Sequence, residues 1–455
     1  MLLGLFLYFL IPCHLFIAYL IESVAAAQAT GLRRQGKGSE DGPSREQAAK
    51  FRRTWITVAW LHSINVVGTL IYMSYVVYYH IHHPLIGTAT ELHVIIVLLK
   101  TYSYALTNRD LRHAYLHPNS DAALESIPAL YAECPYPRNV TMSNLVYFWW
   151  APTLIYQPVY PRTPKIRWSF VAKRVGEVFF LSISIWFVAA QYATPLLINS
   201  LVKIHTLEYT AILERLLKLS TISLVIWLAG FFALFQSGLN ALAEITRFGD
   251  RSFYDDWWNS ENLGVYWRTW NKPVYRYFRR HVFRPLIARG WSPARAGMMV
   301  FILSAVLHEV LVGIPTHNII GTVFFFFSGF LLDPSKGFLL TGVDTGVAFL
   351  GMILQLPLIR MTMPLGRSQT ATSKLIGNAI FWVSFTIFGQ PFAALMYFYA
   401  WQVSTPQYSD TVARWLVTDS MPRQSTGLSA GKQLLLGVRN ASYFFKGLCW
   451  ALPYG

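Results

Sequence analysis

Residues 297–314 read GMMVFILSAVLHEVLVGI, an apolar run broken only by Ser304 and the pair His308-Glu309. A helix needs about 17 to 25 such residues to cross the hydrocarbon core of a bilayer. Seven more runs of this kind lie at 2–22, 54–79, 92–107, 175–199, 210–247, 346–364 and 376–401. They lack the short period-two pattern of a transmembrane barrel. Lipid admits only helices and closed barrels, because backbone polar groups there must bond one another. The sequence therefore predicts an all-α polytopic membrane protein with eight transmembrane helices. Composition agrees: of 455 residues, 54% are hydrophobic and 13% charged, against about 25% charged in soluble domains. Disorder, a fibrous protein and an ordinary soluble enzyme are excluded.

The net charge is +16. In a soluble chain this would suggest nucleic acid. Here the excess lies in polar loops between apolar runs and reads as the positive-inside pattern. It also offers sites to anionic headgroups or a phosphorylated substrate. The loop 30–53 carries Arg33, Arg34, Lys37, Arg45, Lys50, Arg52 and Arg53 and is expected on the cytosolic side. Alternation puts the basic segments 108–174 and 248–296 on that side too, and both termini in the lumen. The sequon at Asn139 would then be unused and the sequon at Asn440 open to glycosylation. The first run has Pro12 in its middle, no basic residue before it, and continues as helix to Ala27. It is read as a span rather than a signal peptide. Cys13, Cys134 and Cys449 are scattered, so neither a disulfide framework nor a zinc site is indicated.

The loop 248–296 is the most unusual stretch. It contains Phe253-Tyr254-Asp255-Asp256-Trp257-Trp258-Asn259 and, further on, Trp267-Arg268-Thr269-Trp270-Asn271-Lys272-Pro273. Two readings stand for its tryptophans. One is an interfacial aromatic belt; the other is a structured cap over a site open to the cytosol. Arg276, Arg279, Arg280, Arg284, Arg289 and Arg295 follow. They satisfy positive-inside or bind the phosphates of a nucleotide-bearing substrate. A titratable pair at membrane depth, such as His308-Glu309, is a functional hypothesis by default. A neutral imidazole there can take a proton from a hydroxyl. The competing reading is a helix-packing histidine. His62, also in an apolar run, is read as packing. Gly427-Leu428-Ser429-Ala430-Gly431 matches a nucleophile-elbow pattern, but no strand precedes it. The cluster Tyr79-His80-Ile81-His82-His83 has no Cys or carboxylate at zinc spacing and is read as a luminal loop.

Phe253–Asn259 followed by His308-Glu309 in an apolar helix resembles the membrane-bound O-acyltransferases that esterify neutral lipids. That branch holds the acyl-CoA:diacylglycerol and the sterol acyltransferases. Ala151-Pro152-Thr153-Leu154 and Tyr160-Pro161-Arg162 are similar to both. Tyr156-Gln157-Pro158, Pro315 after the His-Glu pair, and Phe388-Gly389-Gln390-Pro391 resemble the diacylglycerol side. The resemblance covers residues 1–402, with 403–455 a tail without a counterpart.

The resemblance implies transfer of a fatty acyl group from acyl-CoA to the free hydroxyl of diacylglycerol, in the endoplasmic reticulum membrane. His308 is implied as general base and Asn271 as a catalytic residue near the thioester. Gln355 and Gln390 would line the polar centre, with Ser304 and Glu309 supporting. Trp270, Asn259, Trp257, Trp258 and Tyr254 are counted among the substrate-binding residues. No cofactor or metal is implied; acyl-CoA is a co-substrate. Partners are acyl-CoA, diacylglycerol, membrane lipids and a second copy of the chain. Compared with the family, the chain lacks a basic N-terminal segment and one further helix expected to contribute to dimerisation. Residues 322–346, TVFFFFSGFLLDPSKGFLLTGVDTG, are extra; they are expected to be an insertion, from a retained intron. The alternatives are a sterol acyltransferase, a transporter, for which no inverted repeat is seen, and a non-catalytic scaffold of the same family.

Overall fold

A computed structural model describes residues 2–36, 45–81, 83–117, 128–205, 208–316, 356–364, 370–389 and five single positions between 391 and 398. The insertion at 322–346, the tail 403–455, Gln355 and Gln390 lie outside the described residues.

Several helices begin at a capping side chain or a proline. Helix α1 (Leu2–Leu10) is separated from α2 (Cys13–Gly36) by a turn at Ile11-Pro12. Proline cannot donate the helical hydrogen bond. Helices α3 (Arg45–His80) and α4 (Pro84–Leu116) follow, the latter with proline at its first position. Thr141 caps α5 (Met142–Trp150), accepting from Asn144 N at 3.2 Å. Helix α6 (Trp168–Val188) widens into a π turn at Ala189–Ala193 and continues as α7 (Thr194–His205). Helix α8 (Tyr209–Phe231) passes through another, Phe232–Gly238, into α9 (Leu239–Ile245). The short helices α10 (Leu263–Thr269), α11 (Lys272–Phe278) and α12 (Arg284–Ala288) form the loop expected at 248–296. Helix α13 (Pro293–Gly313) starts at Ser292, whose side chain accepts from Arg295 N. A helix at 356–364, α14, and α15 (Ala371–Val383) complete the described elements.

Among the described residues, six helical stretches are long and apolar enough to cross a membrane: Leu3–Arg34, Arg53–His80, Pro84–Leu116, Trp168–Leu201, Tyr209–Ile245 and Pro293–Gly313. They correspond to the first six expected spans, most with longer ends. The last two expected spans fall partly on residues outside those described. No strand occurs among the described residues; Arg162 and Phe248 form an isolated bridge.

Helices α2, α3 and α4 pack on one another, α6 packs on α8 and α9, and α13 packs on α4. At one end, Ala26 and Ala29 of α2 meet Leu111 of α4 and Tyr131 and Tyr136. There Arg33 lies 4.2 Å above the Tyr115 ring and Arg280 donates to Tyr131 Oη at 3.3 Å. The three basic segments expected to share a side of the membrane thus meet at one end of the bundle.

This first bundle carries buried charge. Glu22 is fully buried and accepts from His62 Nε2 at 2.9 Å and Arg112 Nη1 at 2.6 Å. His62, read as a packing residue, also hydrogen-bonds that buried carboxylate. Its helical neighbours are apolar, but its partner lies forty residues earlier in the chain. Lys100, also buried, donates to Phe148 O, Trp149 O and Ala151 O at 2.8, 3.1 and 2.8 Å. An ammonium has three donors, and the end of α5 leaves its carbonyls without helical partners. The amine closes that helix where lipid offers no water. Asn139 is wholly buried and donates to Asn108 Oδ1 at 2.7 Å and Tyr156 Oη at 3.1 Å. The folded chain therefore cannot present this sequon to a glycosyltransferase, whichever side it faces.

Candidate active site around His308

His308 stands on α13, half-buried, with its Nδ1 2.7 Å from the backbone carbonyl of Ser304 and 3.4 Å from Ser304 Oγ. A carbonyl can only accept, so Nδ1 carries the proton and donates. That assigns the tautomer and leaves the lone pair of the neutral ring on Nε2. No described residue hydrogen-bonds Nε2. Ser304 thus supports the ring through its backbone as well as its hydroxyl. Glu309 is buried and accepts from Tyr397 Oη at 3.0 Å. Helical neighbours diverge by about 100°, so His308 and Glu309 serve different faces. Gly313, one turn on, leaves room for this carboxylate: a Cβ there would sit 2.7 Å from Glu309 Oε1.

The loop before α13 is a folded cap. Asp255 N donates to Thr269 O at 2.9 Å and Lys272 N to Phe253 O at 3.0 Å, closing it on itself. Trp257 is 1% exposed, enclosed by Trp227, Phe231, Tyr266, Trp382 and Phe385. Its ring belongs to the core and not to an interfacial belt. Trp258 O accepts from Asn378 Nδ2 at 2.9 Å and Trp382 Nε1 at 3.1 Å, and Ser260 O accepts from Asn378 at 3.1 Å. The cap is thereby fastened to α15. Tyr254 Oη donates to Gln236 Oε1 at 2.6 Å, on the π turn below α8. Asn259 is exposed.

The entry to the cap is held by Glu244, which accepts from Arg167 Nη2 at 2.8 Å and from Arg251. Arg247 takes a positive φ of 56°, and Gly249 N bonds Pro161 O at 2.8 Å. A Cβ on Gly249 would lie 2.9 Å from that oxygen, so only glycine permits this approach.

At the far end of the cap, Asn271 Oδ1 accepts from Val274 N at 3.2 Å and caps α11. No described residue accepts from its amide N–H groups. Trp270 stacks on Tyr266 at 5.8 Å, and Trp267 meets Phe301 of α13 edge-on at 5.7 Å. Leu154, Ile155 and Val274 pack against the buried cluster Ile95, Leu99, Tyr277 and Phe278, as do Leu307, Val310 and Leu311 of the helix turn that carries His308. The structure thus gathers the motif at 151–158, the cap and His308 into one region.

Three polar groups near this region were missed in the sequence. Lys100 and Arg112 interrupt the apolar character of α4, and each was a signal of an intramembrane charge with a partner. His281 lies buried on the π turn Arg279–Phe283, with Nε2 2.8 Å from Ser103 Oγ, which also accepts from Tyr156 N at 2.9 Å. Burial, then the nearby Arg280 and Arg109 charges, push the His281 ring down to about 3. It is neutral at any physiological pH. The same burial raises the phenols of Tyr156 and Tyr277 above their ordinary range. Among the described residues, no group of three His, Cys, Asp or Glu is placed to hold a metal ion.

A polytopic helical bundle with an aromatic cap packed against the helix of His308 defines a class, and the sequence comparisons show what it is similar to. Residues 135–314 match the membrane-bound O-acyltransferase family. The match includes the cap, Asn271 and His308. The chain is 36% identical over 316 residues to diacylglycerol O-acyltransferase 1C of Glycine max, covering 69% of this chain and 54% of that protein. It is 35% identical over 348 residues to diacylglycerol O-acyltransferase 1 of Bos taurus, covering 75% and 65%. Against the Dictyostelium discoideum protein of that name it is 33% identical over 353 residues, covering 76% and 51%. The chain spans between half and two thirds of the length of these curated relatives.

Proposed function

We propose that this protein transfers a fatty acyl group from acyl-CoA to the free hydroxyl of diacylglycerol, making triacylglycerol. The observation that carries the reading is the His308 Nδ1 contact to Ser304 O at 2.7 Å, which leaves Nε2 as the base. Nε2 takes the hydroxyl proton as the oxygen attacks the thioester carbonyl. The tetrahedral intermediate then expels the CoA thiolate, which recovers that proton from the imidazolium. No covalent enzyme intermediate is needed. Asn271 is the amide we assign to the thioester oxygen, since its Oδ1 is engaged in capping and its N–H groups are not. Gln355 and Gln390 are proposed to complete the polar centre. Trp270, Trp257, Trp258, Tyr254 and Asn259 are proposed to shape the substrate-binding region. Acyl-CoA approaches from the end where the basic segments meet, and diacylglycerol from the membrane. The endoplasmic reticulum, where both substrates occur, is the proposed location, and a homodimer the proposed assembly.

The test uses microsomes from a host lacking its own neutral-lipid acyltransferases. Labelled oleoyl-CoA is supplied with diacylglycerol or sterol. Label in triacylglycerol that disappears with His308→Ala supports the proposal. Label in sterol ester moves the acceptor to the sister branch. No product from either acceptor rejects catalysis by this chain.

A further inference from the structure

The span Trp168–Leu201, built from α6 and α7, stands at the edge of the bundle. Only 11% of its apolar stretch is buried, the least of the six spans among the described residues. Phe179 and Phe180 are 68% and 69% exposed, as lipid-facing rings are. Trp168, Val175 and Phe179 follow one another at steps of seven and four residues, and Lys173 precedes Phe180 by seven. Such steps keep each set on one side of a helix. The surface that meets lipid therefore runs on through Trp168 and Lys173. About 20 residues suffice to cross the hydrocarbon core, and this span is longer than that. Its first two turns, Trp168–Arg174, accordingly lie among the headgroups, where an exposed tryptophan also belongs.

This headgroup end is basic. Arg162, Lys165 and Arg167 precede the helix, Lys173 and Arg174 stand in it, and Arg247 and Arg251 come from the neighbouring entry to the cap. The structure ties these segments together. Arg247 Nε donates to Thr163 O at 2.8 Å, and the guanidinium groups of Arg167, Arg174 and Arg251 lie 4.7, 5.0 and 6.0 Å from the Phe170 ring. Two carboxylates pair within the cluster: Glu244 with Arg167 and Arg251, and Glu177 with Arg174. Lys165 and Lys173 are exposed, and no carboxylate among the described residues pairs with either. A positive excess thus faces outward, into the headgroup layer. The positive-inside pattern asks only for basic residues in a cytosolic loop. It does not gather them over the lipid-facing surface of one helix. The cytosolic leaflet is the one that carries acidic lipids. A soluble CoA enters through water and has no need of a lysine that stands above lipid-facing rings.

We propose that this cluster binds the headgroup phosphate of an acidic phospholipid, with Lys165 and Lys173 as its unpaired cations and Trp168 at the interface beside them. The proposal does not depend on the acyltransferase reading. CoA carries phosphates too, and the experiment separates the two sources.

The experiment titrates the full chain, in micelles of an uncharged detergent, with phosphatidylglycerol bearing a fluorescent acyl chain. Phosphatidylcholine with the same acyl chain is the control. The parent should bind phosphatidylglycerol more tightly, and the preference should weaken as salt rises. Lys165→Gln combined with Lys173→Gln should lower the phosphatidylglycerol affinity by about fivefold for each lysine, the usual worth of one cation at an acidic membrane surface. Affinity for phosphatidylcholine should stay as it was. Both lysines are exposed, so the variant should keep the melting temperature of the parent. No preference in the parent overturns the proposal, as does equal phosphatidylglycerol affinity in parent and variant. An equal loss with both lipids overturns it as well. Affinity for free CoA should not change; if it falls in the variant, the cluster serves the nucleotide and the proposal fails.

Discussion

His62 and His308 both sit inside apolar helices of this protein, and their partners separate them. His62 on α3 is 2.9 Å from a buried carboxylate, Glu22, which Arg112 also engages. His308 on α13 meets a backbone carbonyl, Ser304 O, in its own helix. The first pairing joins three helices and balances charge across them. The second fixes a tautomer and leaves a basic nitrogen open. A titratable residue in a membrane helix is thus not functional by type alone. What it is bonded to, and what it leaves unbonded, decides.

The sharpest way to break this comparison is to remove each histidine's function in turn. His308→Ala should lower the rate of ester formation by about 10²- to 10⁴-fold, the usual worth of a general base. Its thermal unfolding in micelles should barely change. A large loss of stability with modest loss of rate would make His308 the structural residue.

The converse variant is Glu22→Leu. It leaves Arg112 buried without its carboxylate and should destabilise the fold by about 3–5 kcal/mol. Adding Arg112→Met should recover most of that loss. Strictly additive losses in unfolding measurements would show that the pair is not coupled.

Asn378 tests how firmly the cap is held against α15. Asn378→Ala strips a donor from Trp258 O and Ser260 O and should cost about 1–3 kcal/mol. Limited proteolysis should then cut within 253–271 faster than in the parent. Unchanged cleavage would mean that the ring packing around Trp257 suffices.

The smallest effect concerns a third histidine. His281 is neutral in the fold, with its ring pushed down to about 3, and faces Ser103, Tyr277, Arg280 and Arg109. An unfolded chain binds a proton there below about 6.5. Its contribution to stability is therefore complete above that pH and is lost as pH falls from about 6.5 toward 3. The melting temperature of His281→Gln should lose part of this slope relative to the parent. Identical slopes would place the acid sensitivity elsewhere.

The sequence alone determined the first six membrane spans, the basic loops and His308 as the residue to examine. These are local properties: span length follows from bilayer thickness, and a histidine within eighteen apolar residues is visible without knowing its neighbours. It left the tryptophans open between belt and cap, because one-dimensional composition is the same in both. Only the tertiary structure placed Trp257 inside a shell of rings and set Trp267 against Phe301. It alone also paired Glu22 with Arg112, ninety residues away, and closed α5 with Lys100. Such partners are chosen by helix packing, which brings distant residues together where no water can satisfy them.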